Sequence, residues 1–193
     1  MGEKGPSILC LQETELSVCD EALCVSLWGG TPHSFSYRHS VRTSGGLLIL
    51  WDISLVEVWS TVSIEHAVMI HGRFVHFNEE FYLVNVYALC DNSAKQLLWD
   101  RLALIFQRLS GKNLCICGDF NIVRSLEERC LLRAPSSVSD VDPFNRFIDE
   151  NLLVDLSLCG RKYTWYKGDG SSMIRLDIFL LLENWCLVWP SCM

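Results

Sequence analysis

Long hydrophobic runs and basic residues are both scarce in this sequence of 193 residues. The longest apolar segments are short, because "GGLLILW" ends at Asp52 and "FLLLENWCLVW" is broken by Glu183 and Asn184. Neither reaches the roughly 20 apolar residues that a membrane-spanning helix needs. The first residues, "MGEKGPSILC", also lack the apolar core of a signal peptide. The sequence therefore predicts an intracellular protein that makes no use of a membrane.

Basic residues number 16 against 23 acidic ones, which gives a formal net charge of -7. Tight binding to a phosphate backbone over a whole protein surface requires Lys and Arg to displace counterions, and this charge balance excludes it. A nucleic-acid substrate must therefore be held locally. The ten cysteines include no Cys-x-x-Cys pair. The pairs Cys115/Cys117 and Cys19/Cys24 lack zinc-finger spacing, so we expect buried, reduced thiols.

Half of the residues are apolar and 20% are charged, a composition typical of a globular protein. The length fits one domain with a substantial core, and we expect residues 1–193 to form a single domain. Short apolar or alternating segments dominate the first half and predict strands. These segments are "SILCLQE", "GGLLILWD", "LVEVWSTVSIE", "AVMIHGRFVHF" and "EFYLVNVYAL", of which the last three predict an antiparallel meander.

An amphipathic helix is predicted to start after Ser93, a suitable N-cap, and to end at Gly111. Apolar residues recur there in steps of four, three and four, at Leu98, Leu102, Ile105 and Leu109. The rest of the chain predicts a buried strand "NLCIC", a polar loop through "RAPSSVSD", a helix near "DPFNRFIDENL", and strands at "KYTWYK" and "IRLDIFL". Strands and helices mix without strict alternation, so the predicted fold class is an α/β layered sandwich.

Acidic residues finish several of the apolar segments, at Glu13, Asp52, Asp119 and Asp177. The ends of strands at a sheet edge are where α/β folds usually place a functional site. Any one of these acids can equally be a solvated residue of a turn, and this is the favoured interpretation for Asp52.

The segment "GDFN" places Asp119 and Asn121 two positions apart directly after the most apolar strand. In an extended segment this spacing points both side chains to the same side. A carboxylate can orient or deprotonate a water molecule, and an amide can donate to a phosphate oxygen. Both are useful for phosphodiester hydrolysis, but an Asx-turn after a core strand explains the same two residues equally well.

Five short motifs, in this order, resemble the endonuclease/exonuclease/phosphatase superfamily. They are "LQET" at 11–14, "VNVYA" at 84–88, "GDFN" at 118–121, "YTW" at 163–165 and "RLD" at 175–177. Within that superfamily the sequence is most similar to the endonuclease domain of plant LINE-type (non-LTR) retrotransposons. The resemblance implies a DNase I-like fold, in which two mixed sheets are flanked by helices, and a metal-dependent phosphodiesterase acting on DNA.

The resemblance also implies a role for five residues. Glu13 matches the glutamate that binds Mg²⁺, a hard cation that prefers oxygen ligands and keeps several waters. Tyr87 matches the tyrosine that contacts the scissile phosphate, Asp119 the aspartate that aligns the attacking water, and Asn121 the asparagine beside it. Asp177 matches the aspartate that orients a catalytic histidine. With Glu13 the one expected ligand, we expect Mg²⁺, or Mn²⁺, to bind weakly.

Two elements of the superfamily pattern are missing from this sequence: an initial strand with Trp-Asn and a final strand with Ser-Asp-His. The sequence is therefore expected to be a domain incomplete at both ends and impaired as an enzyme. The positions of the histidines also predict an impaired enzyme. All five, His33, His39, His66, His71 and His76, precede residue 77, and we expect His71 and His76 to be packed or surface residues rather than replacements for a catalytic base.

Three other functions stay open: a catalytically inert remnant, a protein-binding scaffold, and a phosphatase acting on inositol phosphates or lipids. Such a phosphatase is expected to carry basic loops for a polyanionic head group, and the sequence has no evident cluster of this kind. The LINE-type resemblance further implies a reverse-transcriptase domain as partner in a parent polyprotein, and a location in the nucleus.

Overall fold

The computed structural model describes residues 5–40, 45–131 and 141–190. The chain divides into two compact units, Met1–Tyr87 and Ala88–Met193, and each is described by itself. The prediction that 1–193 forms a single domain stays a prediction. No helix among the described residues is both long and apolar enough to cross a membrane.

The first unit contains six strands and one helix in its described part. They are β1 (Ile8–Gln12), α1 (Glu21–Trp28), β2 (His33–Arg38), β3 (Leu47–Asp52), β4 (Val56–Ile64), β5 (Ala67–Phe74) and β6 (Glu79–Tyr87).

The six strands in the described part of the first unit pair antiparallel, in two groups of three. One has the order β1-β3-β2, and β1 pairs with β3 from Ile8 opposite Trp51 to Gln12 opposite Leu47. The other is the predicted meander β4-β5-β6, which is confirmed. Residues 47–51 of β3 are all buried, because this apolar strand lies at the centre of its sheet.

The second unit contains three helices and six strands in its described part. They are α2 (Asn92–Arg108), β7 (Leu114–Asp119), β8 (Arg129–Leu131), α3 (Val141–Glu150), β9 (Leu153–Asp155), β10 (Trp165–Tyr166), β11 (Ser172–Ile174), β12 (Asp177–Leu182) and α4 (Glu183–Val188), with a short 3₁₀ helix at Leu126–Glu128.

Strand β12 lies at the centre of the main sheet of the second unit, paired antiparallel with β7 on one side and β9 on the other. Strands β10, β11 and β8 form a smaller antiparallel sheet. Aromatic side chains build the core beside α2. The Trp99 ring lies 5.1 Å from Phe147, 5.2 Å from Phe144 and 5.7 Å from Phe120 between ring centroids.

The amphipathic helix is confirmed as α2, with both of its ends displaced from their predicted positions. Its N-cap is Asp91 rather than Ser93, because the Asp91 carboxylate accepts the backbone N–H of Ala94 at 2.9 Å. An aspartate is as good a cap as a serine, and it comes first in the chain. The helix ends at Arg108, before Gly111.

The C-terminal strands differ from those predicted. "KYTWYK" contributes only the two-residue strand β10, and "IRLDIFL" is divided between β11 and β12. The division occurs at Arg175, whose side chain forms ion pairs with Glu128 and Asp155. The predicted polar loop segment "RAPSSVSD", at 133–140, lies outside the described residues.

The nine described cysteines are thiols, and five of them are buried, at 19, 24, 115, 117 and 186. Burial, together with the neighbouring thiol of Cys19, raises the pKa of Cys24 to about 12. The expectation of buried thiols holds for these five and is wrong for Cys90, Cys130 and Cys159, which are exposed, while Cys10 is half-buried.

Candidate active site

Two carboxylates face each other at one end of the main sheet of the second unit. Asp119 is the last residue of β7 and Asp177 the first residue of β12, and the two are direct partners across the antiparallel ladder. Residues in this relation project to the same face, with Cβ atoms about 4.5–5.5 Å apart. The expectation that Asp177 ends a strand is wrong, but by beginning β12 it lies beside Asp119.

Asn121 does not continue the strand. Its φ of 48° is left-handed, and its backbone N–H donates to Asp119 Oδ1 at 2.7 Å. This is the Asx-turn that the sequence left as an alternative, and the extended geometry that was expected to align the two side chains is wrong. The Asx-turn forms in place of extended backbone because a short acidic side chain can accept a hydrogen bond from the backbone N–H two residues later.

The turn is joined to the residue that opens the second unit. Ala88 donates its N–H to the Asp119 carbonyl at 2.8 Å, and the Asn121 side-chain amide donates to the Ala88 carbonyl at 2.8 Å. Gly118, just before, has a φ of 137°, a conformation that L side chains rarely adopt. The glycine of "GDFN" is therefore required by the backbone path that leads into the turn.

The motifs "YTW" and "RLD" are linked through one hydroxyl group. Thr164 Oγ1 accepts the backbone N–H groups of Leu176 at 3.0 Å and of Asp177 at 3.1 Å. The Leu176 carbonyl in turn accepts the N–H of Phe120 at 3.0 Å. Thr164 therefore fixes the start of β12, and with it the position of Asp177 beside the "GDFN" turn.

Lys95 is a residue of this region that the sequence analysis missed. It lies on α2, only 6% of its surface is exposed, and its Nζ donates to the Asn121 carbonyl at 2.9 Å. The sequence did indicate that this lysine is buried, because Lys95 precedes Leu98 by three positions and so lies on the apolar stripe of the helix. A lysine on a buried stripe requires a partner.

Arg175, the arginine of "RLD", has a structural role. Its guanidinium, 8% exposed, binds Asp155 at 2.6 and 3.1 Å and Glu128 at 2.6 Å. Arg124 adds a bond of 3.2 Å to the same Asp155. Burial alone lowers the pKa of Arg175, but the hydrogen bonds and charges of Asp155 and Glu128 outweigh it, so the net effect raises this pKa.

The remaining two predicted residues, Glu13 and Tyr87, meet in the first unit. Glu13 follows β1 with a left-handed φ of 50°, and Tyr87 is the last residue of β6. The Tyr87 hydroxyl, on a buried side chain, donates to Glu13 Oε1. The tyrosine therefore holds the carboxylate of an exposed glutamate in one orientation.

The buried side-chain amide of Asn85 connects the strands that carry this pair. Asn85, with no exposed surface, donates to the carbonyls of Leu11 at 3.0 Å and Leu48 at 3.2 Å, and accepts from the Gln12 side chain at 2.5 Å. These bonds tie β6 to β1 and β3 immediately before Glu13. Every polar atom of such a buried amide needs a partner, so these bonds fix how β6 packs against β1 and β3.

The oxygen donors at Glu13 determine which divalent cation fits there. A carboxylate has two oxygens and about four lone-pair sites, so the bond from Tyr87 leaves Glu13 able to bind a cation. Among the described residues no group of three or more His, Cys, Asp or Glu side chains could hold a metal ion. One carboxylate suits Mg²⁺ or Mn²⁺ that keeps its waters, and it does not suit zinc, which needs several protein ligands.

The predicted site residues thus form two groups, Glu13 with Tyr87 in the first unit and Asp119 with Asn121 and Asp177 in the second. Their convergence on one cleft stays a prediction. The second group contains two carboxylates and one amide, and the amide donates to the Ala88 carbonyl.

Comparison with known proteins places the chain in a family. The model of the Endonuclease/Exonuclease/phosphatase family matches residues 1–190. The chain belongs to this family. A sequence comparison with curated proteins finds no match.

Solved structures share the fold at low sequence identity. The AP endonuclease LMAP from Leishmania major is 17% identical with a TM-score of 0.72, over 93% of this chain and 70% of that one. A truncated TDP2 from Caenorhabditis elegans is 18% identical with a TM-score of 0.59, over 92% and 71%. The human Nocturnin catalytic domain is 17% identical with a TM-score of 0.56, over 92% and 69%. The predicted α/β fold of the DNase I type is confirmed.

Proposed function

We propose that this chain is a metal-dependent phosphodiesterase domain that hydrolyses DNA. The observation that carries the proposal is that Asp119, Asn121 and Asp177 lie at one end of β7 and β12, where hydrogen bonds from the backbone N–H groups of Asn121 and Asp177 hold them. Rigid placement of acidic and amide groups supplies most of what hydrolysis of a phosphate ester requires, because catalysis depends on positioning and electrostatic stabilisation.

Each of the five residues has a role in the proposal. Asp119 orients the attacking water and accepts its proton, and Asn121 offers an amide N–H to a phosphate oxygen. Asp177 orients a basic group on the opposite side of the phosphate. Tyr87 contacts the phosphate, for which its one O–H turns away from Glu13. Glu13 would hold Mg²⁺ or Mn²⁺, which would supply charge neutralisation during hydrolysis.

A nucleic acid is favoured over a phosphorylated lipid or inositol by the hairpin of β10 and β11. Trp165 and Tyr166 of this hairpin are 42% and 48% exposed, and three exposed basic residues flank them, at 161, 162 and 167. Nucleic-acid surfaces combine aromatic rings for stacking with cations for phosphates in this way. The hairpin is attached to Asp177 through Thr164, so a strand bound there lies near the proposed chemistry.

Metal binding at Glu13 is expected to be weak, on the order of millimolar, because one carboxylate supplies the protein ligand. We expect Mn²⁺ to broaden the NMR signals of residues around Glu13, and the Glu13→Gln variant to lose this broadening. Glu15→Gln is the matched control, since Glu15 is also exposed with a left-handed φ of 52° in the same loop. A submicromolar site, or equal broadening in both variants, contradicts the assignment.

We propose that the 193-residue chain acts weakly by itself, because no histidine follows His76 and the unit that holds Asp177 supplies no imidazole. Imidazole in the buffer can replace such a group. The full chain is therefore expected to nick supercoiled plasmid at background rate with MgCl₂, and faster when imidazole is added at the same pH and ionic strength. EDTA should remove the gain.

The same experiment separates the alternatives. Inositol phosphates are offered to the chain in parallel, and release of inorganic phosphate is measured. Phosphate release with an intact plasmid identifies a phosphatase and overturns the proposal. Neither product, with imidazole and Mg²⁺ present and the protein folded, identifies an inert remnant or a binding scaffold.

We further propose an origin in a plant LINE-type retrotransposon, supported by the five ordered motifs. This origin implies a reverse-transcriptase domain encoded nearby and action in the nucleus. Reading the genomic DNA on both sides of the coding sequence tests it. A frame for Ser-Asp-His followed by reverse-transcriptase sequence is expected, and an unrelated intact gene on that side overturns the proposed origin.

A further inference from the structure

Lys95 is an energetically unfavourable residue at its buried position on α2. The side chain is 6% exposed and lies on the same stripe of α2 as the buried Leu98 and Leu102. Removing an ammonium group from water is strongly unfavourable unless hydrogen bonds and charges compensate it. A methionine or leucine fills such a space without that cost, so the lysine is explained by what its ammonium group contacts.

The ammonium group contacts the carbonyl of Asn121, a residue held at three separate atoms. Its N–H is bonded to the Asp119 carboxylate at 2.7 Å, its side-chain amide to the Ala88 carbonyl at 2.8 Å, and its carbonyl to Lys95 Nζ at 2.9 Å. The backbone there is left-handed, a conformation that persists in a non-glycine residue only where the surroundings impose it. Lys95 supplies the bond to the carbonyl, which the turn itself cannot make.

The positive charge of Lys95 also lies next to the turn that contains Asp119, because its ammonium group bonds the backbone there. Asp119 and Asp177 are direct partners across the ladder, and two like charges so placed repel each other. A buried cation bonded to the backbone two residues from Asp119 offsets part of this repulsion. It does so from inside the protein, where screening by salt is weaker than at the surface.

We propose that Lys95 is a positioning residue of this site: it clamps the Asn121 carbonyl from α2, holds the Asp119–Asn121 turn in its left-handed form, and balances the two aspartates. The consequence for catalysis rests on the proposed function, whereas the clamp does not. Lys95 is assigned no contact with substrate. Its removal should therefore lower the turnover rate and leave substrate binding nearly unchanged.

Three variants of the full chain test the clamp by NMR. Lys95→Met keeps the length and removes the charge, Lys95→Arg keeps the charge, and Lys112→Met removes an exposed lysine just after the same helix. In Lys95→Met we expect the Asn121 resonances to shift and hydrogen exchange around the turn to accelerate roughly 10- to 100-fold, as for loss of a charge-assisted hydrogen bond. In the other two variants, exchange is expected to stay within about twofold of the unsubstituted chain.

The catalytic consequence is read from plasmid nicking with Mg²⁺ and imidazole. Lys95→Met should lower kcat by roughly 10- to 100-fold with KM within about twofold, and Lys95→Arg should recover part of the loss. If the unsubstituted chain never nicks DNA, the proposed function fails, and the exchange measurement still decides the clamp. Accelerated exchange with unchanged kcat overturns the positioning role alone.

A second measurement covers the case in which Lys95→Met is too unstable to study. The Nζ resonances of the unsubstituted chain are recorded, and the Lys95 ammonium is expected to exchange its protons at least about tenfold more slowly than that of exposed Lys112, as a buried hydrogen-bonded group does. A Lys95 ammonium that exchanges as fast as Lys112, or Asn121 exchange unchanged in a folded Lys95→Met variant, overturns the clamp.

Discussion

Asp119→Ala is expected to abolish the imidazole-dependent nicking of plasmid DNA, with a loss of roughly 10²- to 10⁴-fold. The substitution removes the carboxylate that we propose orients the attacking water, and it also removes the acceptor of the Asn121 N–H, so two of the proposed groups are lost together. Added imidazole can replace a missing base or acid opposite the phosphate. It cannot restore the orientation of the water.

Asp52→Ala is the matched control for this variant. Asp52 also ends a buried strand and also accepts a backbone N–H two residues later, from Ser54 at 2.7 Å. Hydrogen bonds from the Ser54 hydroxyl and N–H lower the pKa of Asp52, as expected for a carboxylate closing a surface turn. Asp52→Ala should nick at the rate of the unsubstituted chain. If both variants lose activity equally, the loss reflects damage to a turn rather than removal of a catalytic group.

This comparison shows what the local sequence can and cannot reveal. Asp52 and Asp119 have the same local chemistry, an apolar strand followed by an Asx-turn, and no rule of strand endings separates them. What distinguishes Asp119 is the Asp177 carboxylate across the ladder and the Lys95 ammonium group near the turn. Both come from distant parts of the sequence, so only the ordered motifs distinguished Asp119 from Asp52.

Helices and strands were predictable where apolar residues recur at a regular spacing. The meander of β4 to β6 and the helix α2 follow from alternation and from steps of three and four. Helix α1 was missed because its apolar residues form no stripe: Cys24 is its one buried residue in the described part of the chain, and Val25 and Leu27 are exposed. Strand β2 was missed as well. It is an edge strand whose exposed and half-buried residues carry a weak signal.

The roles of charged residues were the least predictable part of the site. Arg175 lies inside a recognised motif, yet its side chain serves an ion network with Glu128 and Asp155 that no spacing reveals. The network also explains why "IRLDIFL" is not one strand, because Arg175 has a backbone N–H bonded to the Glu128 carbonyl at 3.0 Å, between β11 and β12. A tertiary bond has overridden local strand propensity.

Arg175→Met is expected to lower the free energy of unfolding by about 3–5 kcal/mol, the usual cost of removing one partner from a buried ion pair. The guanidinium neutralises two carboxylates whose side chains are 14% and 11% exposed, on Glu128 and Asp155. Without it these charges stay buried next to each other, and the Leu156 carbonyl loses its donor. Methionine fills much of the volume but makes none of these bonds. Urea unfolding followed by tryptophan fluorescence measures the change.

Arg73→Met is the matched control, because Arg73 bonds Glu57 at an equally short 2.6 Å but both side chains are 40% or more exposed. Solvent screening limits such a pair to about 0–1 kcal/mol. The contrast therefore separates burial from bond length as the source of the stabilisation. Similar losses in the two variants contradict it, since they mean that water reaches the Arg175 network. A large loss confined to Arg175→Met means that the buried bonds from the arginine of "RLD" to Glu128 and Asp155 stabilise the second unit.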